Sequence, residues 1–237
     1  MTNVLVVHAH PEPQSFCTAM AHAAVDVLTG QGANVTFSDL YASQFNPVAT
    51  SADFDSRSNP AYLVYSLEQR HALQNDSLSV DIRREADRVL ACDTLVMVFP
   101  LYWFSTPAIL KGWIDRVFLS GAFYGGKRIY ERGSMRGKRA VVGVTLGGRE
   151  HMFGPDALHG ELTGGMLRHF FQGTLGYVGF DVAEPFFAYH VPYRTHEERA
   201  AMMDQWRARL ADIDSIPTLT MPDLSRFDEI FQPKRSA

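Results

Sequence analysis

Short apolar runs recur along the chain at intervals typical of a parallel sheet. Continuous runs at 4–7, 95–99 and 140–144 contain almost no polar side chain, which is characteristic of central parallel strands covered on both faces. The partly alternating segment 34–40 predicts another strand, and 180–188 predicts the last of five.

Helical patterns separate these strands. Apolar side chains from Phe16 to Val27 recur with helical spacing after Ser15, a favourable N-cap residue. The same spacing predicts helices at 107–118, 158–175 and 196–210. Alternation of strands and helices predicts an α/β fold with a doubly wound, five-stranded parallel sheet.

The length of 237 residues suits one domain, which we place at 1–215. The polar stretch 42–79 interrupts the alternation and is interpreted as an excursion with some helix. The segment 216–237 contains three prolines and is expected to lie as a tail on the surface or on a partner subunit.

Composition narrows the class of protein. The chain is 46% hydrophobic and 20% charged, as folded proteins are, and its net charge of -4 gives no reason to expect a nucleic-acid partner. The first residues lack the features of a signal peptide, and no apolar run is long enough for membrane insertion. With Cys17 and Cys92 as the only cysteines, we expect a cytoplasmic protein.

Three loops follow the carboxyl ends of predicted strands, at 8–15, 100–106 and 147–156. Ligands of open α/β sheets bind at such ends, so we expect the loops to converge on one site. The first loop offers His10, Ser15 and a helix N-terminus, which together favour an anion. Taken alone, the loop is better explained as an ordinary capped helix, but its position after the first strand, where this class of fold holds phosphate, favours the anion site.

The second and third loops have the composition expected around a flat ligand. Two prolines bracket Tyr102, Trp103 and Phe104, which suits a flat ring system better than a loop packed inside the protein. Gly147 and Gly148 allow backbone amides to approach a ligand closely, although most such pairs are simple turns.

Histidines and basic residues give weaker indications of function. His159, beyond the third loop at the start of a predicted helix, is a candidate proton donor, although a lone histidine is more often structural. Histidine and cysteine spacing predicts no metal site. The basic stretch 127–139 could meet a nucleotide 2′-phosphate, but a solvated loop explains it more simply.

Several segments together resemble the NAD(P)H:quinone oxidoreductase (DT-diaphorase) family. The most specific is FPLYWFSTPAILKGWIDRVF at 99–118, joined by SDLYASQFNP, TLGG, QGTLGYVGF and HEERAAMMDQW. The resemblance covers about 4–216. It implies a flavodoxin-like homodimer that binds FAD, with FMN less favoured, and that reduces quinone-like acceptors with NAD(P)H by ping-pong hydride transfer.

The resemblance also implies roles for individual positions. Cofactor contacts are expected from His10, Ser15, Phe16, Cys17, Leu101, Tyr102, Trp103, Phe104, Thr145, Leu146, Gly147, Gly148, Phe153 and Arg199. Substrate contacts are expected from Trp103, Phe104, Tyr124, Gly126 and Tyr177. His159 corresponds to the family's catalytic histidine, and Tyr124 to a tyrosine that closes the partner's pocket.

The chain departs from the family pattern at several of these positions. Phe153 stands where the family has its catalytic tyrosine, and Gly126 replaces a second pocket tyrosine. Cys17 and Val64 replace an asparagine and a glutamine beside the cofactor. A metal site of one family branch corresponds to Gln172, Gly176 and Thr218, so no metal is expected.

Other functions stay open at this point. One is a flavin-binding regulatory subunit of a membrane transport system, and another is an azo or nitro reductase. A third, a one-electron carrier of flavodoxin type, is disfavoured by the pocket aromatics and by the excursion at 42–79. The physiological acceptor and the choice between NADH and NADPH are not determined by the sequence.

Overall fold

The apolar runs form one parallel sheet in the computed structural model, which describes residues 1–234. Its strands are β1 Asn3–His8, β2 Asn34–Asp39, β3 Thr94–Pro100, β4 Arg139–Thr145, β5 Asp181–Val182 and β6 Phe186–Ala188. Their order is β2-β1-β3-β4-β5, with β6 also paired to β4. This is the flavodoxin-like order, whose switch point lies between β1 and β3. The predicted fold class is therefore confirmed.

The predicted last strand is in fact two short strands. Both β5 and β6 run parallel to β4, and the segment between them contains Glu184 and Pro185. Pro185 has no N–H to donate to β4. The N–H of Glu184 donates instead to the carbonyl of Pro217, 2.8 Å away. The fifth position of the sheet is thus occupied by an interrupted strand.

Six α-helices are present in the described part of the chain. They are α1 Phe16–Gly30, α2 Tyr65–Asn75, α3 Val80–Ala91, α4 Ala108–Val117, α5 Arg168–Phe170 and α6 His196–Ala211. Val4 and Val6 of β1 are buried in a cluster with α1 and α6, whereas Leu5 and Val7 are buried in another with α3 and α4. Alternate side chains of the same strand therefore face helices on opposite sides, as a doubly wound sheet requires.

The excursion at 42–79 contains α2 and is tied to the core by charge. Arg116, on α4, is buried and forms ion pairs with Asp53 at 2.9 Å and Asp81 at 2.7 Å. The hydroxyl of Tyr65 donates to Asp53 over 2.6 Å. A buried charge left without its partner is strongly destabilising, so these contacts fix the excursion on α4.

The helix expected at 158–175 is not continuous. Two π-helical turns, Leu162–Met166 and Phe171–Gly176, flank the short α5. Glycines within these turns weaken helix formation, which explains the difference. The helical segment therefore begins at Leu162, three residues after His159.

The tail packs along the domain. Thr218 forms an antiparallel bridge with Ala183, and the N–H of Leu219 donates to the carbonyl of Val182 over 2.8 Å. Leu224 is buried. The last three residues of the expected tail, 235–237, lie outside the described residues. Within residues 1–234, no helix combines the length and the apolar character needed to cross a membrane.

Candidate active site

The three strand-end loops meet at the carboxyl edge of the sheet. The N–H of Leu101 donates to the carbonyl of Thr145 over 2.8 Å, joining the second loop to the end of β4, which leads into the third. The N–H of Ala9 donates to the carbonyl of Val98 over 3.2 Å, joining the first loop to β3. The structure thus brings together the segments that the sequence placed at one site.

Cys17 lies at the centre of this junction. Its thiol is buried and lies close to Thr145 and Tyr102. Burial raises the pKa of the Cys17 thiol to about 12, against a smaller opposing effect of Thr145. The thiol therefore stays protonated and acts as a packing residue rather than as a nucleophile.

A buried histidine supports the first loop from below. His8 Nδ1 lies 3.1 Å from the carbonyl of Val98, which fixes the ring proton on Nδ1. Nε2 lies 3.0 Å from the hydroxyl of Thr18, whose single proton is donated to the carbonyl of Glu12 over 2.9 Å. Burial lowers the pKa of His8, which favours the neutral ring.

His10 lies above this network with one ring nitrogen available. Its Nδ1 accepts from the N–H of Glu12 over 3.0 Å, so the neutral ring carries its proton on Nε2. Burial lowers the pKa of His10 as well. Since Nε2 has no partner among residues 1–234, it can donate to a ligand.

The N-terminus of α1 opens into a cavity of about 480 Å³. Ser15 caps the helix by accepting from the N–H of Thr18 over 3.0 Å. The cavity is lined by Gln14, Ser15, Phe16, Ala19, Val191, Pro192, His196, Arg199, Ala200 and Met203. Arg199 also donates to the carbonyl of Arg194 over 2.9 Å. A helix N-terminus and an arginine together favour an anionic group.

The second loop holds its aromatics in an exposed, strained turn. Trp103 and Phe104 have φ of 49° and 58°, in the left-handed region. Trp103 is 96% exposed, with Tyr102 at 42% and Phe104 at 41%, so the alternative of a buried loop is wrong. Each such residue costs about 1–3 kcal/mol, and strain of this kind is concentrated at ligand-binding sites.

The third loop presents unpaired backbone donors. Within residues 1–234, the N–H groups of Gly147 and Gly148 have no hydrogen-bond acceptor. His190 fixes the loop, because its Nδ1 lies 2.9 Å from the carbonyl of Gly147. His190 was not predicted from the sequence, since nothing in the local pattern reveals a contact across 43 residues.

His159 lies between the second and third loops. Its ring centroid is 5.2 Å from that of Phe104 and 5.3 Å from that of Phe153. Its backbone N–H donates to the carbonyl of Met152 over 3.0 Å, which places it in a turn before the helical segment. The imidazole has no hydrogen-bond partner among residues 1–234 and is partly exposed, so it can serve a ligand.

The remaining substrate positions form a separate group. The rings of Tyr124 and Tyr177 are 5.7 Å apart, and Tyr130 packs on the other side of Tyr177 at 5.6 Å. Burial, assisted by these neighbours, raises the pKa of Tyr177. Among the described residues, none of these rings contacts Phe104 or His159. Gly126 follows Tyr124 in the same segment, with φ of 58°.

The basic stretch is largely engaged in supporting the fold. Arg128 donates to the carbonyl of Gly121, Lys138 to Leu90, and Arg139 to Ile216. Lys127 forms an ion pair with Glu229. These cations cap carbonyl groups of the same chain, which agrees with the simpler interpretation of this stretch.

The assembled edge suits a long, flat ligand with an anionic part. It combines an exposed aromatic turn, unpaired N–H groups, a histidine, and a cavity with an arginine beside a helix N-terminus. Cavity residues such as Gln14, Pro192, His196 and Met203 were not anticipated. They come from two helix termini about 180 residues apart in the sequence.

Comparison with known proteins places this arrangement in a family. The flavodoxin-like fold family matches residues 2–210. The chain is 40% identical over 215 residues to ribosyldihydronicotinamide dehydrogenase [quinone] of Pongo abelii, covering 89% of this chain and 91% of that protein. It is 37% identical over 234 residues to NAD(P)H dehydrogenase [quinone] 1 of Cavia porcellus, covering 98% and 84%.

A solved structure supports the same family assignment by its fold. The crystal structure of a putative quinone reductase from Klebsiella pneumoniae superimposes with a TM-score of 0.86 at 31% identity. The match covers 92% of this chain and 87% of that one. The chain therefore belongs to the flavodoxin-like NAD(P)H:quinone oxidoreductase family and is an oxidoreductase.

Proposed function

We propose that this protein reduces quinones by two electrons at the expense of NAD(P)H, through an FAD held at the carboxyl edge of the sheet. The observation that carries the proposal is the exposed, left-handed Trp103–Phe104 turn, with His159 packed beside Phe104. A turn that holds two aromatics in the solvent against backbone strain is explained by a flat ligand that covers it. Measurement of NAD(P)H oxidation with and without a quinone tests the proposal.

The residues of the edge fit the cofactor. A bound flavin would accept hydride from the nicotinamide and donate it to the acceptor. Trp103 and Phe104 would bind the flat rings, and the N–H groups of Gly147 and Gly148 would stabilise negative charge near them. The imidazole of His159 would donate a proton or hydrogen bond during hydride transfer.

The cavity at α1 favours FAD over FMN. It extends the site to Arg199 and to the N-terminus of α6, where an adenosine diphosphate group would find charge and space. Heat release of the cofactor followed by chromatography identifies it. A colourless protein that fails to take up FAD would contradict the proposal, whereas FMN in the extract would correct only the cofactor.

One pocket is proposed to serve both substrates in turn. Phe104 and His159 form a single aromatic wall, so the nicotinamide has to leave before the acceptor enters. Initial rates at several concentrations of both substrates are then expected to give parallel double-reciprocal lines. Intersecting lines would indicate a ternary complex and a second binding position.

The relatives differ in the hydride donor that their names record. Some are named for ribosyldihydronicotinamide and others for NAD(P)H. Because four of the six cations of the basic stretch are engaged with the same chain, we expect kcat/KM for NADPH and NADH to agree within about tenfold, which is 1.4 kcal/mol. A value at least two orders of magnitude higher for ribosyldihydronicotinamide would reassign the donor.

A further inference from the structure

The exposed aromatic turn has little support of its own. Its two internal hydrogen bonds join the backbones of Tyr102 and Ser105, each over 3.0 Å. Among residues 1–234, the N–H groups of Trp103 and Phe104 have no acceptor. Two consecutive left-handed residues persist only where surrounding structure determines them, so a contact from outside the turn is required.

Besides the packing of Phe104 on His159, Ser105 supplies such a contact by reaching α5. Its hydroxyl lies 3.2 Å from Nε2 of His169, and Nδ1 of His169 lies 2.9 Å from the carbonyl of Met166. A carbonyl only accepts, so Nδ1 carries the ring proton. Nε2 of the neutral ring then accepts from the hydroxyl of Ser105.

His169 is itself held in place. The next residue, Phe170, is buried with its ring edge against Phe99 of β3, at a centroid distance of 5.3 Å. The hydroxyl of Thr174 donates to the carbonyl of His169 over 3.1 Å. The histidine is therefore anchored to the strand from which the aromatic turn emerges.

We propose that Ser105 and His169 form a positioning pair that holds the Trp103–Phe104 turn in its ligand-binding conformation. Neither residue is assigned a chemical step. The pair acts by reducing the number of conformations of the turn, so that less order has to be imposed when a flat ligand binds. The consequence for substrate binding rests on the proposed function, whereas the mechanical role does not.

Tryptophan fluorescence tests the mechanical role directly. Trp113 and Trp206 are fully buried, so iodide quenches Trp103 selectively in the full-length protein before any flavin is added. In Ser105→Ala and His169→Ala, we expect lower anisotropy of the quenchable emission, because the indole moves more freely. Arg168→Ala is the matched control, since Arg168 lies on the same short helix and contacts Gln172 instead.

Steady-state kinetics test the consequence for substrate binding. One neutral hydrogen bond is worth about threefold to tenfold in an equilibrium, so KM for the quinone is expected to rise by that factor with little change in kcat. The double variant is expected to match either single variant, because both remove one contact. His169→Gln, which retains an acceptor, is expected to recover part of the loss.

The outcomes separate the two proposals. Unchanged Trp103 anisotropy in both alanine variants would overturn the positioning role, whatever the enzyme does. Additive effects in the double variant would also overturn it. Altered anisotropy in a protein that does not reduce quinones would support the positioning role and refute the proposed function. If His169→Ala fails to fold, Ser105→Ala carries the test alone.

Discussion

The ring of Phe153 fills the space where a side chain on Gly148 would lie. A Cβ at Gly148 would come 2.7 Å from Cε2 and 2.9 Å from Cζ of this ring. The centroid of the same ring is 5.3 Å from that of the His159 imidazole. Phe153 thus connects the backbone donors of the third loop to the candidate catalytic histidine.

Gly148→Ala is expected to lower activity more than stability. The added methyl group forces the end of the Phe153 ring, which packs on His159, to move, and misplacement of about 1 Å at a site can cost up to 10²-fold in rate. We expect kcat/KM to fall about tenfold or more, measured by steady-state quinone reduction. Gly173→Ala, at a position with no neighbour within 4 Å, is the control.

A smaller side chain at position 153 tests whether the clash with Phe153 causes the loss of activity. Gly148→Ala combined with Phe153→Leu is expected to recover part of the activity, because leucine lacks the atoms that the methyl group meets. Wild-type activity in Gly148→Ala alone would mean that the ring moves without consequence for the site.

His159→Gln is expected to slow reduction of the flavin. A positioned general acid contributes roughly 10²–10⁴ in rate, and we expect the lower end of this range. Phe153→Tyr is expected to raise the rate or leave it unchanged, since it adds a donor beside His159. Stopped-flow reduction measures both variants.

The structural alternative for His159 predicts a different result. If His159 capped a helix, its replacement would lower stability by about 1 kcal/mol and leave the rate unchanged. Because the helical segment begins at Leu162, we expect the thermal midpoint of His159→Gln to match the wild type. Equal reduction rates in the two proteins would remove His159 from the mechanism.

The sequence predicted the sheet and its edge better than the details of the site. Apolar runs such as 95–99 are local and fully buried, so periodicity is sufficient to find them. Helix α3 was missed because half of its residues are charged, although Ile82, Ala86 and Val89 form a buried stripe.

Contacts between segments distant in the sequence could not be predicted from the local residue pattern. The pair of His190 with Gly147 and the pair of Ser105 with His169 depend on how loops pack, which residue spacing does not encode. The left-handed backbone of Trp103 and Phe104 was also unforeseen, because aromatic residues rarely adopt it. Their presence at the site agrees with the rule that functional positions violate local preferences.

Stability is expected to fall below neutral pH because of His8. Its folded pKa is lowered by burial, so below the ordinary value of 6.5 the unfolded chain binds more protons than the folded chain. The neutral ring makes its full contribution to the free energy of unfolding above pH 6.5. This contribution is lost as the pH falls through the folded pKa. Urea unfolding from pH 8 to pH 5 measures the slope.

His8→Gln is the comparison for this slope. The variant is expected to be less stable at every pH, because it loses contacts with Val98 and Thr18. Its free energy of unfolding is nevertheless expected to depend less on pH than that of the wild type. Parallel curves for the two proteins would show that His8 is not the titrating group. The pKa of His10 is also lowered, and His10→Gln measures how much of the pH dependence of stability is due to this residue.

Arg199→Ala is expected to weaken binding of FAD and to leave binding of FMN unchanged. A hydrogen bond to a charged group is worth about 1.5–3 kcal/mol, so Kd for FAD should rise roughly tenfold to a hundredfold. Quenching of flavin fluorescence measures both constants. Arg207→Ala, an exposed ion-paired position on the same helix, is the control. An equal loss for both flavins would place Arg199 outside the adenosine side.

A homodimer with shared sites is expected because Tyr124 does not contact the site of its own chain. Among the described residues its ring packs on Tyr177, and neither ring contacts Phe104 or His159. Exposed apolar side chains on the excursion, Tyr62 and Leu67, offer surface for a second copy. Sedimentation is expected to give a dimer, and a fully active monomer would contradict it.

Mixed dimers test whether Tyr124 acts across the interface. Suppose that each site takes His159 from one chain and Tyr124 from the other. A homodimer of His159→Gln then has no intact site, and neither has a homodimer of Tyr124→Ala. In a mixed dimer, one site receives both native residues and the second receives neither. Random reassembly of equal amounts should then restore about a quarter of the wild-type sites, since half of the dimers are mixed and each has one intact site. If Tyr124 serves its own chain, no combination contains an intact site, and mixing the variants leaves activity at the average of the two homodimers.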